Sequence, residues 1–161
     1  MLLGMSLETF TLFHVVISLI GIASGLIVLF GMFAARRLPT WTAIFLITTV
    51  ATSLTGFLFP FQGFKPSYAV GVLSLVVLLF AILGRYPFHL AGPWRWIYAV
   101  SSVVALYFNV FVAVVQSFEK IPALKALAPT QTEPPFLIAQ LALMAIFIVF
   151  GIVAVRKFRK A

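Results

Sequence analysis

Five long apolar stretches, separated by short polar or proline-containing segments, make up most of this chain. A helix that crosses the hydrocarbon core of a bilayer needs about 20 apolar residues at a rise of roughly 1.5 Å each. The pattern therefore predicts an all-α integral membrane bundle of five transmembrane helices, forming a single domain over residues 1–161. The predicted spans cover about residues 10–35, 41–59, 68–84, 97–118 and 136–155.

The composition agrees with a membrane protein. The chain is 63% hydrophobic and 9% charged, with a mean hydropathy of +1.19, whereas a soluble domain is about half apolar and about a quarter charged. Its 161 residues suffice for one helix bundle. Because it contains no cysteine, disulfides, a thiolate nucleophile and cysteine metal ligands are excluded.

The charged residues are distributed unevenly among the loops. Eleven Lys and Arg against three acids could suggest nucleic acid, but their placement indicates membrane topology, because cytoplasmic loops are enriched in Lys and Arg. We expect a multi-pass protein of a bacterial-type inner membrane, with an outer N-terminus, a cytoplasmic C-terminus and no nucleic-acid partner. The predicted cytoplasmic cations are Arg36, Arg37, Arg85, Arg95, Arg156, Lys157, Arg159 and Lys160, and the predicted outer charges are Glu8, Lys65, Glu119, Lys120, Lys125 and Glu133.

The longest loop lies between the fourth and fifth spans. Near residues 119–128, Ile121 and Leu124 fall on one side of a helix, while Lys120 and Lys125 point away from it. This pattern predicts a short helix on the outer membrane surface. The proline-rich run PTQTEPP that follows predicts an extended strap.

Strong hydrogen-bonding side chains are costly within spans unless they find partners, so their depth is informative. At about 1.5 Å per residue, most of them fall in the outer half of the predicted bundle, within roughly 14 Å of the outer boundary. They come from the first, second, fourth and fifth spans. We therefore predict an outward-facing polar pocket, with the surface helix and strap as a cover. Its candidate residues are His14, Ser18, Thr52, Thr55, Asn109, Gln116 and Gln140.

The same residues have a structural alternative. Polar side chains in membrane helices often only bind neighbouring helices together, at ~0.6–2 kcal/mol each. Gly21 and Gly25, which share a helix face with His14 and Ser18, have the spacing for close helix packing. The sequence leaves ligand binding and helix packing both open.

Residues 85–96, RYPFHLAGPWRW, combine basic and aromatic side chains typical of the membrane interface. We expect them to contact lipid head groups on the cytoplasmic side. The candidates are Arg85, His89, Trp94, Arg95 and Trp96.

The sequence contains few residues that could bind a cofactor or catalyse a reaction. His14 and His89 are predicted near opposite membrane faces, so one haem cannot use both imidazoles; haem through His14 alone is a weak alternative. The spans contain no carboxylate, and the chain shows no catalytic constellation, phosphate loop or metal spacing. No metal or cofactor is predicted, and the sequence favours a protein that is not an enzyme.

The leading functional hypothesis is an accessory or scaffold-like membrane protein, whose expected partners are the bilayer and another membrane protein. The alternative is binding or transport of a small amphipathic ligand such as a lipid or quinone. In size, span number and the run ALKALAPTQTEPPF, the chain resembles small, functionally uncharacterised multi-span proteins of bacterial inner membranes. That resemblance implies the location and transfers no mechanism.

Overall fold

The computed structural model describes residues 3–60, 63 and 66–159, and every regular element in this part of the chain is a helix. The all-helical class is therefore confirmed. In chain order the helices are α1 (Leu7–Phe33), α2 (Pro39–Gly56), α3 (Pro66–Arg85), α4 (Trp94–Lys120), α5 (Pro122–Leu127) and α6 (Pro134–Phe158). Four of them, α1, α3, α4 and α6, are long and apolar enough to cross a membrane, as expected of a multi-pass membrane protein.

Helix α2 corresponds to the second predicted span but is not among these four. It has 18 residues, and its repeated threonines lower its hydropathy. Pro39 occupies its first turn, where the missing N–H costs nothing. Four crossings are thus supported by length and hydropathy, and a crossing by α2 stays a prediction.

The segment after α4 differs in detail from the predicted surface helix and strap. The short helix expected near residues 119–128 begins only at Pro122, because Glu119 and Lys120 complete the last turn of α4. Ile121 is extended between the two helices. The expected strap is also shorter, since Pro134 already begins α6.

Glycines on α1 allow close approach of its neighbours. A Cβ added at Gly25 would lie 2.6 Å from Cδ1 of Leu106 on α4 and 2.9 Å from the Phe45 ring on α2. A Cβ added at Gly31 would collide with Leu38, just before α2. Small residues let membrane helices pack with their backbones close together. They bring α1 against both α2 and α4.

Helix α4 is the centre of the bundle, in contact with α1, α3, α5 and α6. Gly84, near the end of α3, lies at the start of α4: an added Cβ would be 3.1 Å from the Trp94 carbonyl oxygen and 3.2 Å from Cβ of Tyr98. At the other end of α4, the rings of Phe118 and Phe136 meet edge-on with centroids 5.4 Å apart. Helices α3 and α6 therefore run antiparallel to α4.

The charges separate between the two ends of the bundle. We call the end where α1, α3 and α6 finish and where α2 and α4 begin the arginine-rich end; Glu8, Glu119 and Glu133 lie at the opposite end. Two cations of the predicted charge distribution, Lys65 and Lys160, lie outside the described residues. The described cations of the arginine-rich end are Arg36, Arg37, Arg85, Arg95, Arg156, Lys157 and Arg159.

The buried apolar core occupies the half of the bundle next to the arginine-rich end. Its largest members include Phe45, Tyr98 and Phe158, each at most 1% exposed. Along α4, most residues from Tyr98 to Leu106 are buried, whereas residues 107–117 are all only half-buried. The half of the bundle that carries the predicted polar residues is therefore less tightly enclosed.

Candidate functional site

His14 lies where α1 meets the end of α2. Its Nδ1 is 2.7 Å from Oγ1 of Thr55, and its ring meets Phe59 edge-on with centroids 5.2 Å apart. Gly56 faces the imidazole, leaving room for it: an added Cβ would be 3.7 Å from Cε1. Lys120, at the end of α4, is close enough to interact electrostatically with this ring. Two predicted site residues, His14 and Thr55, are thus in direct contact.

The hydrogen bonds around Thr55 indicate which tautomer His14 adopts. The Thr55 hydroxyl donates to the carbonyl oxygen of Ala51 at 2.7 Å, and a hydroxyl has only one proton to give. It therefore accepts from Nδ1–H of His14. The neutral imidazole then carries its lone pair on Nε2, the atom that would accept a hydrogen bond or ligate a metal.

Asn109 joins α4 to α2. Its Nδ2 donates to Oγ1 of Thr49 at 3.3 Å, and Thr49 is fully buried. Gly21 completes this contact on α1: a Cβ there would be 3.2 Å from both Asn109 Nδ2 and Thr49 Oγ1, and 3.3 Å from Thr48 Oγ1. Three helices therefore meet at one polar layer.

Gln140 joins α6 to α4. Its Nε2 donates to the carbonyl oxygen of Phe111 at 3.4 Å, and the side chain is 8% exposed. Its Oε1 is buried without a hydrogen-bond partner among the described residues. A buried amide oxygen with no donor is unfavourable, so this oxygen keeps an unused capacity to accept a hydrogen bond.

The remaining predicted pocket residues make only local contacts or none that reach the others. Ser18 donates to the carbonyl oxygen of Val15 at 2.7 Å, and Thr52 donates to that of Thr48 at 2.7 Å. Gln116 is half-buried near the end of α4. The predicted set is thus arranged as separate helix contacts: His14 with Thr55, Asn109 with Thr49, and Gln140 with the α4 backbone.

Sequence reasoning missed Thr49 as a partner. The predicted pocket included Thr52 and Thr55 from α2 but not Thr49. A second missed contact is the hydrogen bond from Ser53 to Ser74, 3.2 Å long, which ties α2 to α3. A serine or threonine hydroxyl can bond either to another helix or to the backbone of its own helix. The packing of the helices, which the sequence does not give, decides between the two.

The loop before α6 lies over the end of α4. Nε2 of Gln131 donates to the Val115 carbonyl oxygen at 3.1 Å. The Glu133 carboxylate accepts from the Thr130 hydroxyl at 2.7 Å and from the Thr132 backbone N–H at 3.1 Å. These hydrogen bonds, above all that from Thr130, hold the pKa of Glu133 below its ordinary value.

The predicted interfacial residues lie at the arginine-rich end. Arg85 places Cζ 5.7 Å from the centre of the buried Tyr98 ring. Trp94 stacks on Phe88 with centroids 4.4 Å apart and planes 4° apart. His89 is exposed, in a turn with positive φ.

The other two members of this group begin α4. Arg95 donates from Nη1 to the carbonyl oxygen of Arg159, 2.9 Å away at the end of α6. The Trp96 side chain is 53% exposed. The hydrogen bond of Arg95 ties α4 to α6. The exposed Trp96 places an indole at the surface, and such aromatic residues anchor proteins at the membrane interface.

Metal and haem ligands are sparse in the part of the chain that the structure describes. It contains no group of three or more His, Cys, Asp or Glu placed to hold a metal ion. His14 lies on α1 toward the acidic end, and His89 follows α3 at the arginine-rich end. The two imidazoles therefore belong to opposite ends of the bundle.

Comparisons with protein-family models, curated proteins and solved structures find no match to this chain. Functional arguments therefore rest on its own residues.

Proposed function

We propose that this chain is a small, five-span membrane protein of the accessory or scaffold type, with an outer N-terminus and a cytoplasmic C-terminus. Its function is non-enzymatic: α1, α3, α4 and α6 carry no carboxylate in their apolar middle parts, and no catalytic set is formed by the residues described above. The polar contacts in the outer half hold the helices in register.

The register of the first two helices supports a crossing by α2. His14 pairs with Thr55, and Gly31 faces Leu38; both pairs sum to 69 (14 + 55 and 31 + 38). The hairpin is thus antiparallel with one constant register. Seventeen residues separate the two pairs along each segment, which corresponds to roughly 25 Å at 1.5 Å per residue. This length is close to a bilayer core of about 30 Å, which supports the proposed crossing by α2.

Cysteine accessibility tests the topology directly, because the natural chain contains no cysteine. We expect a membrane-impermeant maleimide, added to intact cells, to label Ser6→Cys and Leu58→Cys. The same reagent should label Arg37→Cys and Lys157→Cys only after the membrane is permeabilised. Equal labelling of Arg37→Cys and Leu58→Cys in intact cells would contradict a crossing by α2.

One observation carries the scaffold proposal: the strong polar side chains bridge different helix pairs. His14 links α1 to α2, Asn109 links α4 to α2, and Gln140 links α6 to α4. Such contacts give a small bundle a fixed shape on which a partner membrane protein can dock. We expect gentle purification with cross-linking to capture a partner at constant stoichiometry, and Asn109→Leu to retain it if the bundle stays folded.

The alternative function is binding of a small amphipathic ligand in the outer half. Two acceptor atoms favour it: the buried, unpartnered Oε1 of Gln140 and the Nε2 of His14. A ligand hydroxyl or amide would satisfy either. Native mass spectrometry of the purified protein tests this, since a retained small molecule lost in Gln140→Leu would replace the scaffold proposal.

Haem binding through His14 is a weaker third alternative. The orientation of Nδ1 toward Thr55 fixes the ring and leaves Nε2 to bind iron, as second-shell hydrogen bonds do for ligating histidines. A Soret band in the visible spectrum, absent from His14→Ala, would support it. A colourless wild-type protein would remove it.

A further inference from the structure

Helices α2 and α3 line an open, apolar surface groove. Its volume is about 620 Å³, within the range of about 300–1,000 Å³ typical of small-molecule sites. The α2 side of the groove extends from Ala43 to Leu54, roughly 16 Å of helix. Tyr86 carries the only polar side-chain group in a lining formed mainly by Ala43, Ile47, Ala51, Leu54, Ile82 and Tyr86.

The groove has a cause in the packing of α3. Toward the opposite end, α3 touches α2: Ser53 donates to Ser74 at 3.2 Å, and the Phe57 ring covers Gly71, where a Cβ would meet it at 2.9 Å. Toward the arginine-rich end, Gly84 draws α3 onto α4 instead. The two helices therefore separate in that direction, and small alanines on α2 leave the gap unfilled.

Arg85 lies next to the wide end of the groove. Tyr86 closes the lining there, and its neighbour Arg85 lies over the ring of Tyr98. The Tyr98 hydroxyl is next to Thr42, which precedes the lining residue Ala43. Arg85 thus adjoins the lining through its neighbour Tyr86. By way of Tyr98 and Thr42, it also lies near Ala43.

Among the described residues, no acidic side chain lies near Arg85. Its Nη1 is buried, with no hydrogen-bond partner among the described residues. The three acids of the chain all lie at the opposite end. Arg85 as a whole is only half-buried, and an arginine donates to a phosphate in a charge-assisted, often bidentate contact.

We propose that this groove binds one anionic phospholipid, with an acyl chain between α2 and α3 and the phosphate on Arg85. The apolar lining matches the acyl chain, and Arg85 next to the wide end matches the head group at the level of a bilayer interface. Apart from the backbone of Ala51, whose carbonyl oxygen accepts from Thr55, this site shares no group with the polar contacts of the outer half, so it does not rest on the scaffold proposal.

Native mass spectrometry of wild-type protein exchanged between nanodiscs of phosphatidylglycerol and phosphatidylcholine tests the proposal. We expect one phosphatidylglycerol to stay bound in preference to phosphatidylcholine. Equal retention of the two lipids, a lipid-free mass or a retained quinone would overturn it. This competition needs no variant, so it decides the question even if a substitution impairs folding.

Matched variants locate the site. Arg85→Gln should lower phosphatidylglycerol retention by about tenfold, the effect of losing one charge-assisted hydrogen bond, while the exposed Arg156→Gln should not. Ala51→Phe fills the groove and should abolish retention, while Ala142→Phe, on the exposed face of α6, should leave it unchanged. Circular dichroism confirms that each variant is folded. Equal retention within either pair of folded variants would overturn the assignment.

Discussion

The two halves of this bundle are held together in different ways. Next to the arginine-rich end, large apolar side chains such as Phe45 and Tyr98 are fully buried, and Gly25 and Gly84 let backbones approach closely. In the other half, α4 is only half-buried over residues 107–117, and hydrogen bonds connect the helices. Lipid is as apolar as leucine, so shape complementarity and polar pairs supply the association energy in a membrane. The half next to the arginine-rich end relies mainly on shape complementarity, and the other half relies mainly on polar pairs.

The largest effect should come from the packed half. Leu106, 1% exposed, fills the contact between α4 and α1, so Leu106→Ala should lower the free energy of unfolding by about 2–5 kcal/mol. Leu141, 59% exposed on α6, is the matched control. Leu141→Ala should change the free energy of unfolding by about 0.5 kcal/mol or less. Denaturant titration in mixed micelles measures both. Similar losses would show that the two environments are energetically alike.

A smaller effect should come from the glycine contacts. Gly25→Ala places a methyl group 2.6 Å from Leu106 Cδ1, which forces buried side chains to move; overpacking of this kind costs about 1–3 kcal/mol. Gly56→Ala, in the polar half, meets only Cε1 of His14 at 3.7 Å, an ordinary contact. It should therefore be neutral or slightly stabilising. If Gly56→Ala destabilised the protein as much as Gly25→Ala, the polar half would be equally tightly packed.

The hydrogen bond between Asn109 and Thr49 should have a still smaller energy. A double-mutant cycle with Asn109→Ala and Thr49→Ala should give a coupling of about 0.6 kcal/mol and at most ~1.7 kcal/mol, the range for polar pairs in membrane helices. The cycle removes the unrelated packing effect of each substitution. A coupling near zero would mean that the polar half is held by packing as well.

The sequence predicted where the helices lie along the chain better than it predicted which helices pack against each other. Long apolar runs locate α1, α3, α4 and α6 because the bilayer fixes the length of a span. An apolar run does not show which face of its helix meets protein and which meets lipid, since both environments are apolar. The groove beside Ala43 and Ala51 therefore left no signature in the hydropathy pattern.

The candidate site shows the same limit. His14 and Thr55 were both selected from their depth, and they lie in contact. Depth could not pair Asn109 with Thr49, because that contact depends on α2 and α4 both meeting α1 at Gly21. Nor could it show that Gln140 would meet a backbone carbonyl oxygen, which every residue possesses.

The smallest predicted effect concerns the loop that covers the polar half. Hydrogen bonds from Thr130 and Thr132 lower the pKa of Glu133 from its ordinary value of 4.5. A carboxylate with a depressed folded-state pKa stabilises the fold above its unfolded value, and that contribution is lost as the pH falls through the lowered pKa. We therefore expect the amides of Thr130 and Thr132 to be protected from hydrogen exchange at neutral pH and to lose protection once the pH falls well below 4.5.

Two variants test the role of Glu133. Thr130→Val should raise the pKa of Glu133, and Glu133→Gln should remove the pH dependence altogether. Acid loss of protection persisting in Glu133→Gln would assign the transition to another group, and the loop would then be held by its Gln131 contact with α4.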